Sequence, residues 1–60
     1  MTNQEQAAEI AKFVVENGRV ESDGDGNLNQ ESLRGEVEFE CEERGLEDCA
    51  EIADLALQFA

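Results

Sequence analysis

A chain of 60 residues holds one small domain, residues 1–60, and its core is thin, because folding at this size buries only about 60% of the surface the unfolded chain exposes. Sixteen Asp and Glu against four Lys and Arg give a formal charge of −12, which excludes nucleic acid and anionic membrane surfaces as direct partners. Basic protein surfaces, metal cations or a high-salt solvent remain, and an apolar content of 40% suffices for a packed layer, so the chain is expected to fold.

The first element is a helix. Thr2-Asn3-Gln4-Glu5 fits a capping box, in which Thr2 and Glu5 satisfy each other's free backbone N–H groups. Ala7, Ile10, Ala11 and Val14 recur at helical spacing with Phe13 beside them, and Asn17-Gly18 supplies a left-handed stop. Arg19–Ser22 then reads as a short strand, Asp23-Gly24-Asp25-Gly26 as a turn, and Asn27-Leu28-Asn29 as its antiparallel return.

Gly35–Glu42 alternates strictly, with Glu36, Glu38, Glu40 and Glu42 set between Val37, Phe39 and Cys41. That period of two predicts the main strand, with one apolar face and one anionic face. A competing reading makes Asn29–Arg44 a helix, because Leu33, Val37 and Cys41 also sit four apart. Gly35 in its interior and the exposure it would impose on Phe39 favour the strand. The last element is a helix with Glu47 and Asp48 in its first turn. Cys49, Ile52, Ala53, Ala56 and Phe59 form its apolar stripe, and Glu47, Glu51, Asp54 and Gln58 form the opposite one. The expected fold is α+β: an N-terminal helix, a small antiparallel sheet of two or three strands, and a C-terminal helix packed on one sheet face. Phe13, Phe39 and Phe59 are the expected core anchors.

Residues 21–32 resemble the twelve-residue EF-hand calcium loop in their centre. Asp23 and Asp25 fall at its third and fifth positions, Gly26 at the obligatory sixth and Leu28 at the apolar eighth. Both ends depart from the pattern: Glu21 stands first and Ser32 twelfth, so the bidentate carboxylate is missing. The stretch is read as turn chemistry first, with weak calcium binding as an alternative and no metal ligand assigned. Catalysis has little to work with, since the chain has no His, Tyr or Trp and neither Ser22 nor Ser32 has a base to activate it. No enzyme activity and no cofactor are expected. Cys41 and Cys49 are too few for a disulfide framework, and a polar N-terminus gives no sign of a signal peptide. The expectation is a cytoplasmic protein with reduced cysteines; a Cys41–Cys49 bridge is the alternative.

The charge pattern carries the functional reading. On a strand, Glu36, Glu38, Glu40 and Glu42 would stand about 6.7 Å apart in a ladder roughly 20 Å long. Glu47, Glu51 and Asp54 would make a second row along the last helix. A domain of this size spans roughly 27 Å, so twelve net charges amount to one per ~2.2 Å, against one per ~1.7 Å of duplex DNA axis. In size, charge and anionic rows the chain resembles the small acidic anti-CRISPR and anti-restriction proteins that phages deploy as DNA mimics. The resemblance implies an inhibitor that blocks the DNA-binding groove of a host defence complex, acting in the host cytoplasm if phage-encoded. The partner would be a basic nucleic-acid-binding protein, met by Glu36, Glu38, Glu40, Glu42, Glu47, Glu51 and Asp54. A monomer is favoured over a dimer, since like charges resist pairing at the open sheet edge. A halophilic small protein-interaction domain, which would share the excess of acids and the scarcity of lysine, is the other alternative.

Overall fold

The computed structural model describes residues 1–59, and within them the chain forms three α-helices: α1 (Asn3–Glu16), α2 (Gln30–Glu43) and α3 (Cys49–Ala56). A 3₁₀ turn, Leu57–Phe59, follows α3. The expected α+β fold is thereby corrected: the described residues contain no strand and no sheet. The segment read as the main strand lies wholly inside α2. The two short strands around the Asp-Gly turn reduce to one isolated antiparallel bridge, Ser22 with Leu28.

Local chemistry explains why α2 wins. Asn29 caps it, its Oδ1 accepting from the Ser32 N–H at 3.0 Å. Glu, Gln, Leu and Arg are strong helix formers, and Glu is disfavoured in strands. Leu33, Val37 and Cys41 lie on one face of the helix and are fully buried. A helix also lets Arg34 reach Glu38 at 3.5 Å and Arg44 reach Glu40 at 2.9 Å, both four residues apart. A strand would have denied these pairs and lined four carboxylates along one face. Phe39 is left outside by the same rotation.

The core joins the three helices through Ala7, Ile10, Ala11 and Val14 of α1, Leu33, Val37 and Cys41 of α2, and Ile52, Ala53 and Ala56 of α3. It is entirely non-aromatic. Phe13, Phe39 and Phe59 are 38%, 54% and 45% exposed, so the expectation that they anchor the core is overturned. Four of the ten core residues are alanine, which allows the helices to approach closely. α3 has only eight residues and would be marginal alone, so its helicity rests on this packing.

Both long helices end in the same way. After α1, the Arg19 N–H donates to the Val14 carbonyl at 3.0 Å and the Gly18 N–H to Val15 at 3.1 Å. After α2, the Leu46 N–H donates to Cys41 and the Gly45 N–H to Glu42 in the same pattern. These are Schellman motifs, and they require the positive φ that Gly18 (68°) and Gly45 (73°) adopt. The capping box is present at the start of α1, Thr2 Oγ1 accepting from Glu5 N–H at 3.1 Å and Glu5 returning the bond. At α3 the start is later than expected. Asp48 is the N-cap, in left-handed conformation (φ 58°), and Glu47 precedes the helix.

Cys41 and Cys49 are free thiols. Burial, reinforced by the neighbouring Cys49 thiol, pushes the Cys41 thiol up to about 12, so it stays protonated and behaves as a small core side chain. Gly35, exposed in the middle of α2, faces open space and has no positive φ. Gly35→Ala is therefore expected to raise stability by about 0.5–1 kcal/mol in chemical denaturation; an unchanged or lowered midpoint would contradict helicity at this position.

Candidate partner-binding surface

The helix distributes the four alternating glutamates that a strand would have aligned. At 100° per residue, Glu36 and Glu40 share one side of α2, while Glu38 and Glu42 share another. The carboxylate ladder does not exist. Glu36 and Glu40 instead converge on Arg19, the residue that the Schellman motif delivers from the end of α1. Arg19 Nε donates to Glu36 Oε1 and its NH1 to Glu40 Oε1, each at 2.8 Å. Glu40 Oε2 accepts from Arg44 Nε at 2.9 Å, so one carboxylate holds two guanidinium groups. Its side chain is only 16% exposed.

Each of these arginines also lies over an aromatic ring. Arg19 Cζ is 5.8 Å from the Phe39 centroid, and Arg44 Cζ is 5.2 Å from that of Phe13 on α1. The result is a relay across the α1–α2 surface: Phe13, Arg44, Glu40, Arg19, Phe39. Hydrogen bonds from Arg19 and then Arg44 hold the Glu40 carboxyl below the usual range, and the bonds to Glu40 and Glu36 raise Arg19. Arg34 is raised in the same way by Asp54, which accepts from its Nε at 2.6 Å and so links α2 to α3.

The seven carboxylates expected to face a partner thus have different positions. Glu36, Glu38, Glu40 and Asp54 are paired with arginines of the chain itself. Glu51 accepts from Asn3 Nδ2 at 2.6 Å, tying α3 to the start of α1. Glu42 and Glu47 are exposed and have no ion-pair or hydrogen-bond partner among the described residues. Glu43, next to Glu42 at the end of α2, shares that state and was not singled out from sequence. The arginines and Phe13 and Phe39 were also missed as surface groups. The spacing of Arg34 to Glu38 and of Glu40 to Arg44, four residues each, was the signal that could have found them.

In the EF-hand-like stretch, Asp23 Oδ1 accepts from the backbone N–H groups of Asp25 at 2.8 Å and Asn27 at 3.0 Å. This is an Asx turn that spends one carboxylate oxygen on its own loop. Asn29, a ninth-position residue in the calcium frame, is occupied as the cap of α2. Among the described residues no three Asp, Glu or Cys side chains gather into a group able to hold a metal ion. No helix of these residues is long and apolar enough to cross a membrane.

No protein-family model, curated protein or solved structure matches the chain.

Because the Glu40 pKa is depressed in the folded state, its contribution is full above the ordinary carboxylate range and is lost as pH falls through the depressed value. Glu40→Gln should therefore be less stable than the parent at neutral pH, with the gap closing on acidification. Thermal melts across this range test the relay, and a gap that stays constant with pH would contradict it.

Proposed function

We propose that the protein is a non-catalytic binding protein that mimics the charge of nucleic acid and occupies the basic groove of a nucleic-acid-binding protein, as an inhibitor of a defence complex would. One observation carries the reading: all three arginines are already paired within the chain, while the charge stays at −12. Arg19, Arg34 and Arg44 are held by carboxylates, and Lys12 lies 4.0 Å from Glu16. The Cα trace measures 33 × 19 × 16 Å, so the net charge amounts to one per about 2.8 Å of length. That is somewhat sparser than duplex DNA, at one per ~1.7 Å of axis, but of the same order. With no positive patch of its own among the described residues, the surface offers a basic groove little repulsion from any side. Association with such a groove is fast and electrostatically steered.

The contact residues are revised accordingly. Glu42, Glu43 and Glu47, clustered where α2 ends and α3 begins, are free to meet partner arginines and lysines, as are Glu9, Glu21, Asp25 and Glu31 elsewhere on the surface; Glu36, Glu38 and Glu40 hold the fold. Direct binding to a basic nucleic-acid-binding protein should weaken steeply as salt rises. Reversing Glu42 and Glu47 to Lys should weaken it further while leaving the fold intact. Binding that is indifferent to salt, or to this reversal, would exclude the proposal.

The dispersal of acids around α2 favours a second reading, a surface adapted to high salt, since a scattered distribution needs no single partner. The two separate in dilute buffer. A nucleic-acid mimic stays folded there, whereas a salt-adapted domain loses its helical circular dichroism and regains it on adding molar potassium chloride.

A further inference from the structure

The two aromatic rings of the relay have no part in the core. Phe39 is 54% exposed, and its neighbours along α2, three and four residues away, are Gly35, Glu36, Glu42 and Glu43. Glycine on one side leaves the ring accessible, and carboxylates surround the rest. Phe13 is 38% exposed, on the adjoining helix. Arg19 covers Phe39 and Arg44 covers Phe13, and both guanidinium groups are fixed by Glu40. Each ring therefore rests against a guanidinium that is itself anchored, which reduces the side-chain freedom left to lose on contact. An acidic surface on which each ring has a guanidinium on one face and keeps exposed surface beyond it combines two chemistries, anionic charge and accessible aromatic carbon.

Duplex DNA presents only the first, because its bases stack inside and show the grooves their edges. Single-stranded nucleic acid presents both, and proteins that bind it pair a basic groove with aromatic platforms on which bases stack. We propose that the Phe13–Phe39 surface docks on a protein groove built for single-stranded nucleic acid, with the Phe39 ring taking the place of a base on an aromatic platform and Glu42 and Glu43 the place of phosphates. This rests on the reading of the partner as a basic nucleic-acid groove and adds which kind of strand that groove accepts. Charge complementarity selects the occupant: Arg19 and Arg44 beside the rings are neutralised by Glu36 and Glu40, and Glu42 and Glu43, without partners among the described residues, leave the contact net negative, which fits a cationic surface and repels a second copy of this chain.

The test uses two peptides of equal length and charge, one alternating Lys with Trp and the other Lys with Gly. The protein has no Trp, so the emission of the first peptide reports its binding directly, and displacement reports the second. The native protein should bind the Lys/Trp peptide about five-fold or more tighter than the Lys/Gly peptide. Phe39→Ala should bring the ratio to about one, as should Phe39→Leu, which keeps an apolar side chain but removes the π-face. Alanine and leucine are strong helix formers at an exposed helical site, so both variants keep the fold. Glu42→Gln with Glu43→Gln should weaken both peptides together and leave the ratio unchanged.

A ratio of one in the native protein, or a ratio that survives Phe39→Leu, overturns the stacking surface. In that event salt-sensitive binding of both peptides leaves the charge mimicry standing. Absence of salt-sensitive binding by either peptide overturns both.

Discussion

Leu33, Val37 and Cys41 occupy successive turns of α2, and their complete burial sets the rotation of that helix about its axis. Everything on the surface follows from the rotation. It turns Phe39 outward, divides the alternating glutamates between two sides, and brings Glu36 and Glu40 within reach of Arg19. Three mid-sized side chains are a small anchor for a helix of fourteen residues, seven of them charged. The ion pairs complete what the core begins.

The scarcity of cations gives each one a structural task. Arg19 joins the end of α1 to α2, Arg34 joins α2 to α3 through Asp54, and Arg44 lies over Phe13 and so returns α2 to α1. Each arginine bridges two parts of the fold, and the planar fork suits a group that must hold two carboxylates or a carboxylate and a ring. Lys12, by contrast, has only a loose pair within its own helix. Self-repulsion among sixteen acids works against compaction, and three arginines that each bridge two parts of the fold offset it. The three arginines are thereby paired within the molecule, and the net charge it shows to others is strongly negative. Folding and the proposed recognition draw on the same pairing.

The two terminal helices were legible in the residues, and the fold class was not. The capping box at Thr2, the stop at Asn17-Gly18 and the buried stripe of α1 appear where the spacing put them, because caps and periodicity act locally. α2 was misread because its sequence satisfies two periods at once. Val37 and Cys41 face the core in either frame; Phe39 alone decides, and its size argued for burial. The Asn29 cap, the helix-forming residues and the four-residue spacings of Arg34–Glu38 and Glu40–Arg44 decided the outcome, and Arg19, eighteen residues before Val37, added to it by holding Glu36 and Glu40. A long-range ion pair leaves no trace in a local pattern. The site was less legible for the same reason. A row of glutamates reads as an anionic face until it is known which of them the chain's own arginines hold.

The most direct measurement is the set of Cα secondary chemical shifts over residues 30–43 in dilute buffer. Positive helical shifts running unbroken through Gly35–Glu42, with Phe39 ring protons open to a soluble relaxation agent, are the result the account predicts. Negative, strand-like shifts over Gly35–Glu42 with a shielded Phe39 ring would restore the carboxylate ladder and contradict it.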